Sequence, residues 1–271
     1  MLRIFFNSLK NFFNPFFFPI CNIAHAVHED LGRVLDRQGF AQMVVYEGHL
    51  IVVEHADGIS HLWSIDPDTG AAVSLLALPM NGALRSISAL TVIGERLHFL
   101  AMDADHGEEL WVSDGTVLGT RLHTDMTPGA TGTRFSRLYG AGHLLLFAAA
   151  TDTGEGLWAV DSAASPPRAL LDMPLNEVSG NVLGTYQDSL YFRRQQDTGG
   201  QLCAVAAGKP VLRCLDKPVA PIATYTLLPL NDDLLFVGRG EGLGLELWRT
   251  RPALSGAELV MDICPGDCSA F

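Results

Sequence analysis

Tryptophan recurs along this chain at a steady interval, at Trp63, Trp111, Trp158 and Trp248, with separations of 48, 47 and 90 residues. The last gap is two intervals of 45, and its midpoint is Cys203. A leucine precedes the position every time, as Leu62, Leu110, Leu157, Leu202 and Leu247, so Cys203 marks a fourth, altered copy of five. A second marker keeps the same step: Leu50-Ile51-Val52, Leu97-His98-Phe99, Leu145-Leu146-Phe147, Leu190-Tyr191-Phe192 and Leu234-Leu235-Phe236. A third follows the aromatic, as Asp125-Met126-Thr127-Pro128, Asp172-Met173-Pro174, Asp216-Lys217-Pro218 and Asp262-Ile263-Cys264-Pro265, with Leu78-Pro79 in the first copy. Three markers in one register make this a repeat protein, and its units are structural copies.

The grammar inside each unit is that of strands. In the second copy, 86–93 is rich in β-branched residues and ends at Gly94, and 96–102 alternates apolar and polar. Residues 103–107 supply a turn, 109–113 carry the tryptophan, and Asp114-Gly115 is a hairpin signal before 120–126 alternates again. Four short strands in roughly 45 residues match the size of a propeller blade. The expected fold is therefore all-β, a β-propeller of about five four-stranded blades over 27–271. The repeats run approximately 38–82, 83–132, 133–180, 181–221 and 222–271. The alternative is a fragment of a larger propeller or repeat array. A lone four-stranded sheet cannot bury its apolar faces, whereas stacked sheets bury them against one another. Trp63, Trp111, Trp158 and Trp248 are expected as the repeat core, each worth ~3–5 kcal/mol against alanine when fully buried.

Residues 1–26 have a different character. Arg3 and Lys10 precede a short phenylalanine-rich run at 12–20, broken by Pro15, and Ala24-His25-Ala26 offers a small-residue exit. This is the layout of a signal peptide, and the run is too short to span a bilayer. The mature chain is thus expected to be secreted, periplasmic or at the cell surface, with no membrane span. Export removes Cys21 and leaves four cysteines. Cys203 with Cys214, and Cys264 with Cys268, are then possible disulfides, with buried free thiols as the other reading.

Composition narrows the function. Lys and Arg number 18 against 30 Asp and Glu, a formal net charge of −12. Such a chain lacks the cationic surface that nucleic acid requires. There is no G-x-S-x-G, H-E-x-x-H or P-loop, so three well-marked enzyme classes lose support. One constellation is chemically suggestive. The turn Asp103-Ala104-Asp105-His106-Gly107-Glu108-Glu109 offers alternating carboxylates around a glycine, the manner in which calcium loops are built. Asp103, Asp105 and Glu109 are its candidate metal ligands, calcium being the one candidate cofactor. The competing account is that Asp and Gly are simply what tight turns need, and the same account applies to Asp114.

Glu109-Leu110-Trp111-Val112-Ser113-Asp114-Gly115-Thr116, then Gly119-Thr120 and Asp125 through Gly129, resembles the ELWxxDGT repeat of bacterial extracellular proteins. The fifth copy keeps Glu246-Leu247-Trp248 and Asp262 through Gly266 but has Thr250-Arg251-Pro252 where D-G-T belongs, and the other copies are more eroded. The resemblance implies propeller-like repeats and an extracellular setting, and it brings no catalytic residues. The leading expectation is a non-catalytic, secreted or surface propeller presenting loops to an extracellular protein or glycan. The alternatives are a propeller enzyme cutting carbohydrate with a carboxylate pair, and a scaffold or adhesin segment of a longer surface protein.

Overall fold

A computed structural model describes residues 40–80, 86–161, 165–175, 182–196, 199–206, 208–216, 219–222, 227–266 and 269. The expected signal peptide, residues 1–26, lies outside the described residues. The fold is all-β and its unit is the four-stranded antiparallel meander, the blade of a β-propeller. The chain divides into two compact units at Leu122/His123.

The first unit holds sheet one, of β1 (Phe40–Tyr46), β2 (His49–Ala56), β3 (Ile59–Ile65) and β4 (Ala72–Pro79). Sheet two follows with β5 (Ile87–Ile93), β6 (Arg96–Asp103), β7 (Gly107–Ser113) and β8 (Arg121–Thr124), and the division between units falls inside β8. In both sheets spatial order is sequence order. In sheet one two-residue hairpins drive this: Glu47-Gly48 (φ 48° and 76°) and Asp57-Gly58 (φ 52° and 78°) are left-handed at both positions, the twist that returns a strand directly beside its predecessor.

The second unit holds three sheets. Sheet three comprises β9 (Arg134–Phe135), β10 (Tyr139–Ala141), β11 (Leu144–Thr151), β12 (Gly154–Val160) and β13 (Arg168–Asp172). Sheet four comprises β14 (Val182–Tyr186), β15 (Ser189–Gln196), β16 (Gly199–Ala206) and β17 (Lys209–Cys214). Sheet five comprises β18 (Ala220–Pro221), β19 (Leu228–Leu230), β20 (Asp233–Arg239), β21 (Leu245–Thr250) and β22 (Ala257–Met261). Sheets three and five are the same meander with the first strand interrupted: β9 and β10 both pair β11, and β18 and β19 both pair β20. Ser136 bridges the first gap, its N–H donating to Ala148 O at 2.8 Å and its Oγ accepting from Ala148 N at 3.0 Å. β18 falls within the span 181–221 assigned to the fourth repeat but pairs into sheet five, so that boundary moves earlier.

One register runs through all five sheets. Val52 faces Trp63, Phe99 faces Trp111, Phe147 faces Trp158, Phe192 faces Cys203, and Phe236 faces Trp248. In sheets one, three and five the ladder to the fourth strand slips at the Leu–Trp step, at Leu62/Trp63, Leu157/Trp158 and Leu247/Trp248. Successive strand residues point to opposite faces, so leucine and its following neighbour serve different interfaces. In the first unit Ile51, Val53 and Leu62 of sheet one pack on Leu97, Phe99 and Ala101 of sheet two, with Trp111 beside them. In the second unit Leu146, Ala148 and Leu157 of sheet three meet Leu190, Phe192 and Cys203 of sheet four. Tyr191 and Leu202, on the other face of sheet four, meet Leu234, Phe236 and Trp248 of sheet five.

Burial differs among the repeat-core positions. Leu62, Leu110, Leu157 and Leu202 are each 0 % exposed, whereas Trp63, Trp111 and Trp158 are only half-buried and Trp248 is buried at 8 %. A buried indole N–H calls for a partner; among the described residues Trp111 Nε1 and Trp158 Nε1 are buried without one, and the other two tryptophans are satisfied. Trp63 Nε1 donates to Glu54 Oε2 at 3.0 Å, and Trp248 Nε1 donates to the carbonyl of Gly238 at 3.0 Å.

Candidate functional site

The acidic turn of sheet two is built by β6 and β7, which pair out to Asp103 opposite Gly107. Gly107 lies at φ 69°, a left-handed conformation that glycine adopts without a steric penalty. Asp103 Oδ1 accepts the backbone N–H groups of Asp105 (3.0 Å) and His106 (2.7 Å). His106 Nδ1 donates to both oxygens of the same carboxylate, at 3.0 and 2.9 Å. Burial pushes the Asp103 carboxyl up, but the hydrogen bonds from the His106 ring and from the two backbone N–H groups outweigh it and hold the carboxyl below its ordinary value.

The three candidate calcium ligands are thus placed differently. Asp103 is engaged with its own turn, Asp105 is exposed at the tip, and Glu109 is fully buried on β7 opposite Ala101, two rungs along the ladder from Asp103. Among the described residues no group of three or more His, Cys, Asp or Glu side chains is placed to hold a metal ion. The equivalent turns are likewise occupied locally. In sheet three the Thr153 N–H donates to Thr151 Oγ1 at 3.2 Å, and Glu155 receives Arg134 Nη2 at 3.0 Å and the Leu175 N–H at 2.8 Å. In sheet four Asp197 and Thr198 lie outside the described residues. In sheet five Gly240 lies under the indole of Trp248, where a Cβ would come within 2.5 Å of the ring.

The other hairpin that the sequence singles out, Asp114 through Thr120, is a closed network. Asp114 Oδ1 accepts the Thr116 N–H (3.0 Å) and hydroxyl (2.7 Å), and Thr116 Oγ1 in turn accepts the Gly119 N–H (3.0 Å). The Thr120 hydroxyl donates to Thr116 O at 2.6 Å and lies 2.7 Å from Ser113 Oγ. A Cβ at Gly119 would meet the Asp114 carboxylate, so a larger residue there would displace that carboxylate from its place in the network. The hydroxyl and then the N–H of Thr116 hold the Asp114 carboxyl below its ordinary value. Asp114 is a turn former. What the network leaves free is its tip: Val117 is 52 % and Leu118 96 % exposed.

Two roles escape a reading of the sequence. Glu246, fully buried, accepts the backbone N–H groups of Ile263 (3.1 Å) and Cys264 (3.4 Å) on its two oxygens. It fastens the Asp262-to-Gly266 segment to the strand bearing Trp248, and Glu155 does the same for the segment after Asp172 through Leu175. The signal was available, because both acids stand one or two residues before Leu–Trp or Gly–Leu–Trp. The second missed role is that of Glu54 as acceptor for Trp63. Cys203 and Cys214 face each other across β16 and β17 and are disulfide-bonded. Cys268, the possible partner of Cys264, lies outside the described residues. No helix among the described residues is long and apolar enough to cross a membrane.

No protein-family model matches the sequence, and no curated protein does. Among solved structures, the chain is similar to puromycin hydrolase, both in a mutant complexed with PGG (TM-score 0.53) and in the enzyme itself (TM-score 0.52). Each is 17 % identical, over 84 % of this chain and 38 % of that one, so the chain spans well under half the length of that enzyme. The β-propeller domain of the Trilobed protease from Pyrococcus furiosus gives a TM-score of 0.48 at 9 % identity, over 82 % of this chain and 68 % of that one. At such identities the likeness is one of fold.

Proposed function

We propose that this chain is an exported, non-catalytic β-propeller that offers stiff loops to an extracellular protein or glycan. The observation that carries the reading is the Asp114-to-Thr120 hairpin, whose polar groups are spent on its own backbone while Val117 and Leu118 stand in solvent. An apolar tip on a loop that is already ordered suits recognition, because little conformational freedom is lost on binding. The Cys203–Cys214 bridge supports a compartment that permits disulfides. Puromycin hydrolase is named for a hydrolytic activity, but the likeness to it is in fold and reaches 38 % of its length, so it argues for no reaction here.

Screening the full chain on a glycan array and on immobilised extracellular proteins tests the reading. Leu118→Asp is expected to weaken any binding at least tenfold while leaving the melting temperature unchanged. Turnover of a polysaccharide that disappears on replacing an Asp or Glu would instead make the chain an enzyme. Export is tested by fractionating a bacterial host that expresses residues 1–271, followed by amino-terminal sequencing. A chain beginning at Val27 outside the cytoplasm is the expected result, and a cytoplasmic chain retaining residues 1–26 overturns it.

A further inference from the structure

The fourth copy of the repeat lacks its aromatic, and the register shows what stands there. In sheets one, three and five the tryptophan faces a fourth-strand residue: Trp63 faces Ser74, Trp158 faces Ala169, and Trp248 faces Leu259. In sheet four the corresponding pair is Cys203 facing Cys214, and the two sulfurs are bonded. Cys203 is fully buried among Leu146, Ala148 and Leu157 of sheet three and Leu190 and Phe192 of its own sheet, with Cys214 packed against the same cluster.

We propose that the Cys203–Cys214 bridge replaces the tryptophan of the repeat, so that the packing of sheet four on sheet three depends on the oxidation state of this pair. Two things compensate for the missing indole. The second sulfur adds volume from the neighbouring strand, and the covalent link ties β16 to the outer strand β17, which a packed ring would otherwise hold by contact. A reduced pair supplies neither: Cys203 alone is far smaller than tryptophan and leaves an underfilled interface, which is costly in a close-packed core. The bond forms by thiol–disulfide exchange with a disulfide oxidant. The Cys203–Cys214 S–S bond is made, the oxidant's S–S bond is broken, and its two sulfurs leave as thiols with the two protons. The interface between sheets three and four is thus completed only where such an oxidant is supplied.

The test compares melting temperatures of the full chain without reductant, so that Cys264 and Cys268 are left as they are. Cys203→Ala with Cys214→Ala removes bond and volume together and is expected to lower the midpoint by roughly 5–10 °C. Cys203→Trp with Cys214→Ala recreates the Trp158–Ala169 pair of sheet three and is expected to recover at least half of that loss. An alanine pair that melts with the wild type shows that the bridge carries no packing role and overturns the proposal. A tryptophan variant no more stable than the alanine pair, or one that does not fold while the alanine pair does, shows that this position is not the tryptophan position and overturns it equally. Reduction gives a second check, made on Cys264→Ser with Cys268→Ser so that Cys203–Cys214 is the bridge that is cut. Its cleavage, followed by alkylation and peptide mass analysis, must lower the midpoint of that variant, and an unchanged midpoint overturns the proposal.

Discussion

Sheets four and five lie side by side in the second unit and share a register, yet they fill the same position differently. In sheet five Phe236 faces Trp248, whose ring covers Gly240 and whose Nε1 reaches the Gly238 carbonyl. In sheet four Phe192 faces Cys203, which is bonded sideways to Cys214. The second-strand aromatic is retained in both, and so is the leucine one residue before the variable position. What the repeat demands at this point is filled volume between sheets, and either an indole or a bridged sulfur pair supplies it. The two solutions differ in what they require of their surroundings. In sheet five the indole has a glycine beneath it and an acceptor at its edge, and in sheet four the bridge needs only a second cysteine and an oxidant.

The largest effect is expected where the aromatic is most buried. Trp248→Ala should cost about 3–5 kcal/mol, read by denaturant unfolding, whereas Trp63→Ala in its half-buried site should cost clearly less. Equal losses would break the link between burial and cost. Leu157→Ala and Leu202→Ala, which empty opposite faces of the shared packing, should each cost about 2–5 kcal/mol. Gly240→Ala should destabilise sheet five by about 1–3 kcal/mol through overpacking against Trp248, and combining it with Trp248→Phe should lessen the loss. Glu246→Gln should cost about 1–3 kcal/mol, because a buried carboxylate that receives two N–H groups is exchanged for an amide that can offer them one oxygen. Faster hydrogen exchange at Ile263 and Cys264 would locate that loss.

The smallest effect is one of pH. Asp103 has a folded-state pKa below its ordinary value. The stability that it contributes is therefore present above the unfolded value of about 3.9 and is lost as pH falls through the lower folded value. Asp103→Asn should flatten the acid limb of the melting profile below about pH 4 and leave neutral pH nearly unaffected. An acid limb unchanged in the variant would show that the His106 contact carries no weight in solution.

The repeat is legible in the sequence because its markers are large side chains at positions where only bulk can fill the space between sheets, and a shared period survives even when one copy changes its residue. The turns are legible for a related reason: Asp57, Gly58 and Gly115 hold left-handed backbone conformations that few residue types adopt. What hides is set by tertiary distance. That Trp111 is half-buried while Leu110 is fully buried depends on how far a neighbouring sheet extends, which no local pattern records. The breaks between β9 and β10, and between β18 and β19, arise in first strands whose continuity is not encoded by alternation, and β18 pairs with the sheet after the repeat to which the spacing assigns it. Glu246 reads as a member of the Glu-Leu-Trp motif, and its role stays hidden because its two N–H partners lie 17 and 18 residues further along the chain. In the acidic turn, composition alone suits either a cation or a turn, and it does not record the three donors that Asp103 receives from its own turn.

Adjoining residues on the third strand look in opposite directions, and this has a consequence for how such a chain can age. When a copy loses its indole, as at Cys203, the damage is confined to one side of that sheet, and Leu202 continues to seal the other. Copies can therefore erode half at a time, each loss leaving a partner surface intact on which a remedy, here a sulfur bridge, has room to arise.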